Sequence, residues 1–295
     1  MRIPGLFFLR SGALTAALVA SMLGAAAKDK SYAFSPIREP TKKPSDQSSS
    51  QPALTHDQMA NFLRTAKIIG SKKGQKGLSQ PARLTLSDGM LMHDASFQPI
   101  NVFQPFQRFY DGTTETNFHD SYHYNIAAYE IAKLLGIGDM VPVTVERKWK
   151  NKTGSLSWWL PVMMDAADRY QKQIPAPDVD AWNNQLYKIR VFSELICDKD
   201  RNMTNILIGN DWKLYMIDFT RAFKLQTDLN RPKDLVKCDR QLLEKLRQLN
   251  AAEIKQKTEG QLQEPVIKAL ITRRDRILSH FQKLIAERGE DAVLY

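Results

Sequence analysis

Cysteine is almost missing from this chain: the 295 residues hold only Cys197 and Cys238, so at most one disulfide can form. An oxidising compartment permits that bridge, but bonding depends on Cα separation, which spacing along the chain does not give. Long apolar runs are missing too. The nearest candidate, Gly12 to Ala27, is shorter than the ~20 residues that cross a bilayer as a helix, which argues against a membrane anchor. No cysteine follows the small residues Ala25, Ala26 and Ala27, so nothing points to a lipid-modified N-terminus. No segment repeats at a fixed period. No RNA- or DNA-binding motif accompanies the basic residues, which are spread along the chain, so nucleic acid is not an expected partner.

What is present begins with a leader. Arg2 and Arg10 precede an apolar run that ends on three alanines, the pattern of a cleaved secretory signal peptide over 1–27. Export is therefore expected, to the medium, a periplasm or a secretory lumen, with no transmembrane helix in the mature chain. Loss of the two arginines takes the formal net charge from +10 to +8, a basic balance that suits anionic partners such as phosphates. Residues 28–54 are rich in Pro, Ser, Lys and Gln and poor in large apolar groups, so they read as a disordered linker. The remainder is ordinary globular composition, enough for one large domain or two lobes sharing a cleft.

Thr55 and Gln58 fit a capping box, with Met59, Phe62, Leu63 and Ala66 at helical spacing behind them. GSKKGQKGLSQP, residues 70–81, reads as a Gly/Lys loop whose backbone N–H groups could cradle phosphate; a plain solvated loop is the competing reading. ARLTL and MLMHDASFQ flank Asp88-Gly89, the signature of a β-hairpin. From Asp120 or Ser121 as N-cap, YHYNIAAYEIAKLLG reads as a helix with Ile126, Ala127, Ile131 and Leu134 or Leu135 inward, Gly136 at its end, and Glu130 either functional or a solvated charge. MVPVTVERKW and SLSWWLPVM read as strands separated by KNKTG. The second half is mainly helical. Asp178 caps a helix running to Cys197, and EPVIKALITRRDRILSHFQKLIAERG forms an amphipathic helix whose Arg273, Arg274 and Arg276 are expected on the solvated side.

Between those helices lies CDKDRNMTNILIGNDWKLYMIDFTRAF, residues 197–223. ILI and WKLYMI are short apolar strands around the turn residues Gly209-Asn210-Asp211, so they fold as a hairpin. Asn205 precedes the first strand and Asp218 ends the second, which brings both oxygen donors to one edge. Asp200 arrives in the loop before them. A carboxylate to take the proton of an acceptor hydroxyl, with an amide oxygen and a carboxylate as hard ligands for Mg²⁺, is what phosphoryl transfer requires. Backbone capping at turns is the competing use of such residues.

Asp200-Arg201-Asn202-Met203-Thr204-Asn205 resembles the D-R-x-x-x-N catalytic loop of phosphoinositide lipid kinases, and Ile217-Asp218-Phe219 resembles the I-D-F of their metal-binding segment. The Ile-Asp-x-x-x-Ala-Phe pattern ending at Phe223 resembles the atypical kinases of the secretory pathway and the HipA-type kinases. The resemblance implies an α+β, two-lobed protein-kinase-like fold: a small β-rich N-lobe over 55–165 and a larger, mainly helical C-lobe over 166–295. It implies Asp200 as catalytic acid/base, Asn205 and Asp218 as metal ligands, Mg²⁺ or Mn²⁺ with ATP as cofactors, and a protein, sugar or lipid acceptor. The clamp on the nucleotide phosphates departs from the family. Gln98-Pro99 stands where Lys-Pro is expected, and Thr220 where glycine follows Asp-Phe. Glu130, Gln98, Gly74 and Lys76 are the candidate nucleotide contacts, with Lys72 and Lys73 as further compensating charges. A pseudokinase that binds nucleotide without transfer is the alternative. The His56-Asp57, His93-Asp94 and His119-Asp120 dipeptides, with His119 and His123 four apart, raise a metal-dependent phosphohydrolase as a third reading.

Overall fold

Thr55 starts the first helix as its sequence requires. Its hydroxyl accepts from Gln58 N, while the Gln58 side chain accepts from Thr55 N at 2.8 Å, completing a capping box for α1 (His56–Thr65). The structure is a computed structural model that describes residues 54–73, 81–109 and 112–295. The expected signal peptide over 1–27, the expected linker up to residue 53, and Gly74 and Lys76 lie outside these residues.

After α1 come β1 (Lys67–Lys73), β2 (Ala82–Ser87) and β3 (Met92–Gln98), the last two forming the expected hairpin around Asp88-Gly89. Gly70 to Lys73 are therefore strand, not loop. A second hairpin follows, β4 (Asn101–Arg108) and β5 (Thr114–Ser121), paired only with each other. Sequence reasoning passed over it, although Asp111-Gly112 carries the same turn signal. Because β5 runs to Ser121, neither Asp120 nor Ser121 caps α2 (His123–Leu134); Tyr122 stands at the N-cap without a side-chain hydrogen bond. The helix ends as expected, with Gly136 at φ 72°, a conformation glycine adopts without strain. β6 (Thr144–Trp149) and β7 (Lys152–Trp158) close the small lobe through a tight turn at Lys150 and Asn151, both at positive φ, in place of a longer KNKTG loop.

The main sheet is antiparallel with the order β1-β2-β3-β7-β6. Strand alternation sorts its side chains. Leu84, Leu86, Ala95, Phe97, Val145 and Leu156 are buried on the face that packs against α1, where Phe62 meets the Trp158 ring edge-on at 5.7 Å. The other face carries the cross-strand row Lys72, Arg83, Ser96, Ser157 and Thr144, and beside it Gln98 paired with Ser155. One face holds the lobe together; the other is polar.

Residues 159–161 link β7 to β8 (Val162–Asp165), which pairs with β9 of the second half, so 162–165 belong with the large lobe and not, as expected, with the small one. That lobe continues with α3 (Ala166–Gln171) and α4 (Val179–Leu195), the latter capped by Asp178, which accepts from Ala181 N at 2.9 Å. Then come β9 (Ile206–Gly209), β10 (Leu214–Met216), α5 (Arg240–Gln248), α6 (Ala251–Thr258), α7 (Glu264–Arg288) and α8 (Glu290–Val293). On α7 the solvated-arginine expectation fails at Arg273, which is fully buried and donates to the carbonyls of Leu195, Lys224 and Gln226. Three backbone acceptors from two segments need a donor there, and an arginine fork supplies it. Cys197 and Cys238 are both buried free thiols; burial pushes Cys238 up to about 12, so it is inert at neutral pH. Among the described residues no helix is long and apolar enough to cross a membrane.

Candidate active site

β9 and β10 form the hairpin that the sequence predicts, with Leu214 opposite Ile208 and Met216 opposite Ile206. The pairing extends one step further, since Ile217 N donates to Asn205 O at 3.1 Å. Asn205 and Asp218 thus leave the same edge of the hairpin. Arg201 locks this edge from below. Its guanidinium donates to Asn205 O at 2.7 Å and to Ile217 O at 2.6 Å, pairs with Asp198 at 2.5 Å, and lies 4.6 Å from the centre of the Phe219 ring. The Asp198 and Arg201 side chains are 1% and 7% exposed, so this ion pair is part of the interior.

Asp200 sits above that pair. Its backbone oxygen receives Asn205 Nδ2 at 3.4 Å, which turns Asn205 Oδ1 the other way. Burial raises the Asp200 carboxyl above its ordinary value; Arg221, Arg201 and Lys224 oppose this, and the charge of Asp218 adds to it. Asp200 and Asp218 therefore share one electrostatic neighbourhood. Asp218 is exposed, holds a left-handed backbone at φ 56°, and accepts from Thr220 Oγ1 at 3.0 Å. A residue that sequence reasoning read as a helix cap or as part of a His-Asp dipeptide joins them: Asp120, at the end of β5, is raised by burial, with Thr220 opposing and Asp218 adding to the shift. Ser121 N donates to Thr220 O at 2.8 Å and fixes β5 against this segment.

The small lobe reaches the site through Asn125, on the first turn of α2. Asn125 Oδ1 accepts from Phe219 N at 2.8 Å and Asn125 Nδ2 donates to Ser155 Oγ at 3.1 Å. Ser155 is the β7 partner of Gln98. The approach of β7 to the end of β3 requires glycine at 154, because a Cβ there would lie 2.5 Å from Gln98 O. Gln98 is thus held, buried, beside the segment that carries Asp218. Glu130 is not brought there. It pairs with Lys133 at 3.1 Å and lines a separate 380 Å³ cavity with Arg64, Glu146 and Lys257. Five residues of helix separate Asn125 from Glu130, which rotates them to different faces; the side chain facing the Gln98 strand is an amide.

The β4–β5 hairpin is tied to the segment after Asp218 by one carboxylate. Glu115 pairs with Lys224 at 2.6 Å and with Arg221 at 2.7 Å, and the Arg221 guanidinium packs on the rings of Phe109 and Phe118. Burial disfavours the Glu115 anion, but Lys224 and Arg221 outweigh it and hold the carboxyl below its ordinary value. A depressed carboxylate stabilises above its unfolded pKa and loses that stabilisation as pH falls through the folded one. Glu115→Gln is expected to cost about 1–2 kcal/mol at pH 7. The gap in melting temperature between variant and wild type should close as pH falls from the ordinary carboxylate range through the lowered folded pKa.

The histidines do not converge. His56 meets the Tyr129 hydroxyl at 3.3 Å, His93 the Trp159 carbonyl at 3.0 Å, and His119 the Tyr124 hydroxyl at 3.3 Å. His119 lies in β5 and His123 opens α2, so they share no helical face. Among the described residues no group of three or more His, Cys, Asp or Glu side chains is placed to hold a metal. The hard oxygens of Asn205 and Asp218 do fit Mg²⁺ or Mn²⁺, which take one or two carboxylates and draw remaining ligands from water and phosphate.

The arrangement of an antiparallel small lobe, a short link and a helical lobe recurs in solved structures. The structure of hydra Fam20 with sugar matches at a TM-score of 0.59 and 16% identity, covering 81% of this chain and 91% of that one. The chain has the fold of an atypical protein kinase. The Golgi casein kinase matches this kinase-like fold at a TM-score of 0.57, and its form with Mn/ADP bound at 0.58, each 15% identical over 81% of this chain and 78% of that one. No protein-family model matches the sequence, and no curated protein matches it. The kinase-like fold is therefore visible in three dimensions while the sequence has diverged.

Proposed function

We propose that this kinase-like chain is an exported, Mg²⁺- or Mn²⁺-dependent phosphotransferase that moves the γ-phosphoryl group of ATP to a hydroxyl acceptor. The observation that carries the reading is the convergence of Asp200, Asn205 and Asp218 on one edge of the β9–β10 hairpin in this fold. When bound, the cation and ATP supply charge neutralisation and the transferable group. Asn205 Oδ1 and Asp218 would hold the cation. Asp200 receives the acceptor proton as the new oxygen–phosphorus bond forms and the bond to ADP breaks; its raised proton affinity suits that task. Gln98, with Gly74 and Lys76, would contact the phosphates, and Asn125 takes the helix position that sequence reasoning gave to Glu130. The acceptor, a sugar, protein or lipid, enters by a 1020 Å³ cavity lined by Phe103, His119, Lys199, Lys224 and Gln261. Likeness to hydra Fam20 with sugar and to a Golgi casein kinase with Mn/ADP bound supports the cofactors and these acceptor classes, and the Golgi relative together with residues 1–27 supports export.

A second reading, nucleotide binding without transfer, is favoured by one observation: the Gln98 strand faces Asn125, so among the described residues no lysine–glutamate pair stands there to clamp the phosphates. Glutamine can hydrogen-bond phosphate but brings no charge. Melting curves with MnADP and MgATP, followed by phosphoryl transfer from γ-labelled ATP, separate the two. At a hundred times Kd, ligand linkage adds about 2.7 kcal/mol, which is about 5–10 °C for a chain of this size. A shift with transfer supports the first reading and a shift alone the second; absence of any shift sinks both.

A further inference from the structure

Every residue of β4 from Asn101 to Phe106 is exposed, and three of them are large and apolar: Val102, Phe103 and Phe106. The two phenylalanines are 60% and 62% exposed. Apolar residues scattered singly over a surface are ordinary, but three within five positions of one strand are a patch. Strand alternation divides them. Val102 and Phe106, opposite Asp120 and Thr116, lie on one face of the β4–β5 ribbon, and Phe103, opposite His119, lies on the other. A rigid protein partner covers one face of such a ribbon, whereas an apolar medium wets both. Pro105, between the two phenylalanines, lacks the N–H that an added strand needs, so the free edge of β4 is a poor template for a second copy or an extended peptide.

Charge sorts the occupant further. No charged residue stands from Asn101 to Gln107, and where charge returns it is positive. Arg108 closes the strand and is exposed; Lys199, also exposed, lines with Phe103 the cavity beside it. Neither is in an ion pair among the described residues. The same sign runs through the chain, whose formal net charge is +10. We propose that the β4–β5 hairpin seats the protein on an anionic lipid surface, with Val102, Phe103 and Phe106 entering the boundary between headgroups and acyl chains and Arg108 and Lys199 meeting lipid phosphates. Binding of this kind draws on buried apolar area and on the attraction of cations to anionic lipid together. The contact needs neither metal nor nucleotide, so it goes beyond the phosphotransferase reading and does not depend on it. Because Phe103 and Lys199 also line the large cavity, the contact brings a lipid surface to its wall.

The test is co-sedimentation of the full chain, without metal or nucleotide, with vesicles of phosphatidylglycerol and phosphatidylcholine in equal parts and with vesicles of phosphatidylcholine alone. Wild type is expected to bind the anionic vesicles about tenfold or more tightly than the neutral ones, and less tightly as salt is raised. Phe106→Ser should weaken that binding about tenfold, the effect of withholding most of a buried phenyl ring. Arg108→Glu should weaken it about fivefold or more. Both side chains are exposed, so both variants should keep the wild-type melting temperature. No binding to the anionic vesicles, equal binding to the two compositions, or binding that survives both substitutions would overturn the inference. So would a dimer in sedimentation velocity that Phe106→Ser dissolves, since the strand would then belong to a second copy.

Discussion

Asp200→Asn will bind MnADP within about twofold of wild type and transfer phosphoryl groups at least about a hundredfold more slowly, the usual loss when a general base is removed. Asp218→Ala will fail earlier, at metal-dependent nucleotide binding. The distinction follows from placement. Asp200 is half-buried above the Asp198–Arg201 pair, and Asn205 touches it only through its backbone oxygen, which the substitution leaves in place. Asp218 stands exposed at the hairpin edge, with one carboxylate oxygen engaged by Thr220. Removing the Asp200 charge also lifts a desolvation cost. Because burial raises the Asp200 carboxyl, its protonated form is favoured in the fold, and its contribution to stability is present at low pH and lost as pH rises through the folded pKa. The asparagine variant should therefore melt slightly higher than wild type at pH 7, the expected signature of a charge kept for chemistry. Equal loss of MnADP binding in both variants would sink the assignment of separate roles.

The parts of this fold legible in the sequence are those dictated over short range. The Thr55 and Gln58 box, the Asp88-Gly89 turn, the Asp178 cap and the Gly209-Asn210-Asp211 turn each involve neighbours within a few positions, and each forms as its residue types require. The edge shared by Asn205 and Asp218 was legible for the same reason, because a hairpin converts spacing into proximity. What the sequence hid is set by long-range partners. Asp120 looks like a helix cap until β5 extends through it, and Asn125 looks like one more polar residue on α2 until Phe219 N and Ser155 Oγ meet it from 94 and 30 residues away. Arg273 belongs to an arginine-rich run that reads as solvated, yet its carbonyl partners lie 78 and 49 residues away. Glu130 was placed by analogy with a helix glutamate, but helical phase turns it toward Lys133. Three-dimensional partners, not residue type, decide such positions.

Arg201→Met will cost about 3–5 kcal/mol, the typical loss when one partner leaves a buried ion pair. For a chain of this size that is a fall of about 10 °C or more in melting temperature. Asp198 would be left buried and charged; burial already raises its carboxyl despite Arg201, so without the guanidinium it must take up a proton or break out. The double variant Asp198→Leu with Arg201→Met separates fold from site. A buried pair replaced by apolar side chains of similar volume is often neutral or stabilising, so most of the lost stability should return. Mn²⁺ binding should not return, because Arg201 also donates to the carbonyls of Asn205 and Ile217, hydrogen bonds that methionine cannot make. Those bonds fix Asn205 and the residue before Asp218, and so the two proposed metal ligands. If the double variant recovered both melting temperature and Mn²⁺ affinity, Arg201 would be an interior charge and nothing more. Recovery of the first without the second identifies it as the part that sets the spacing between Asn205 and Asp218.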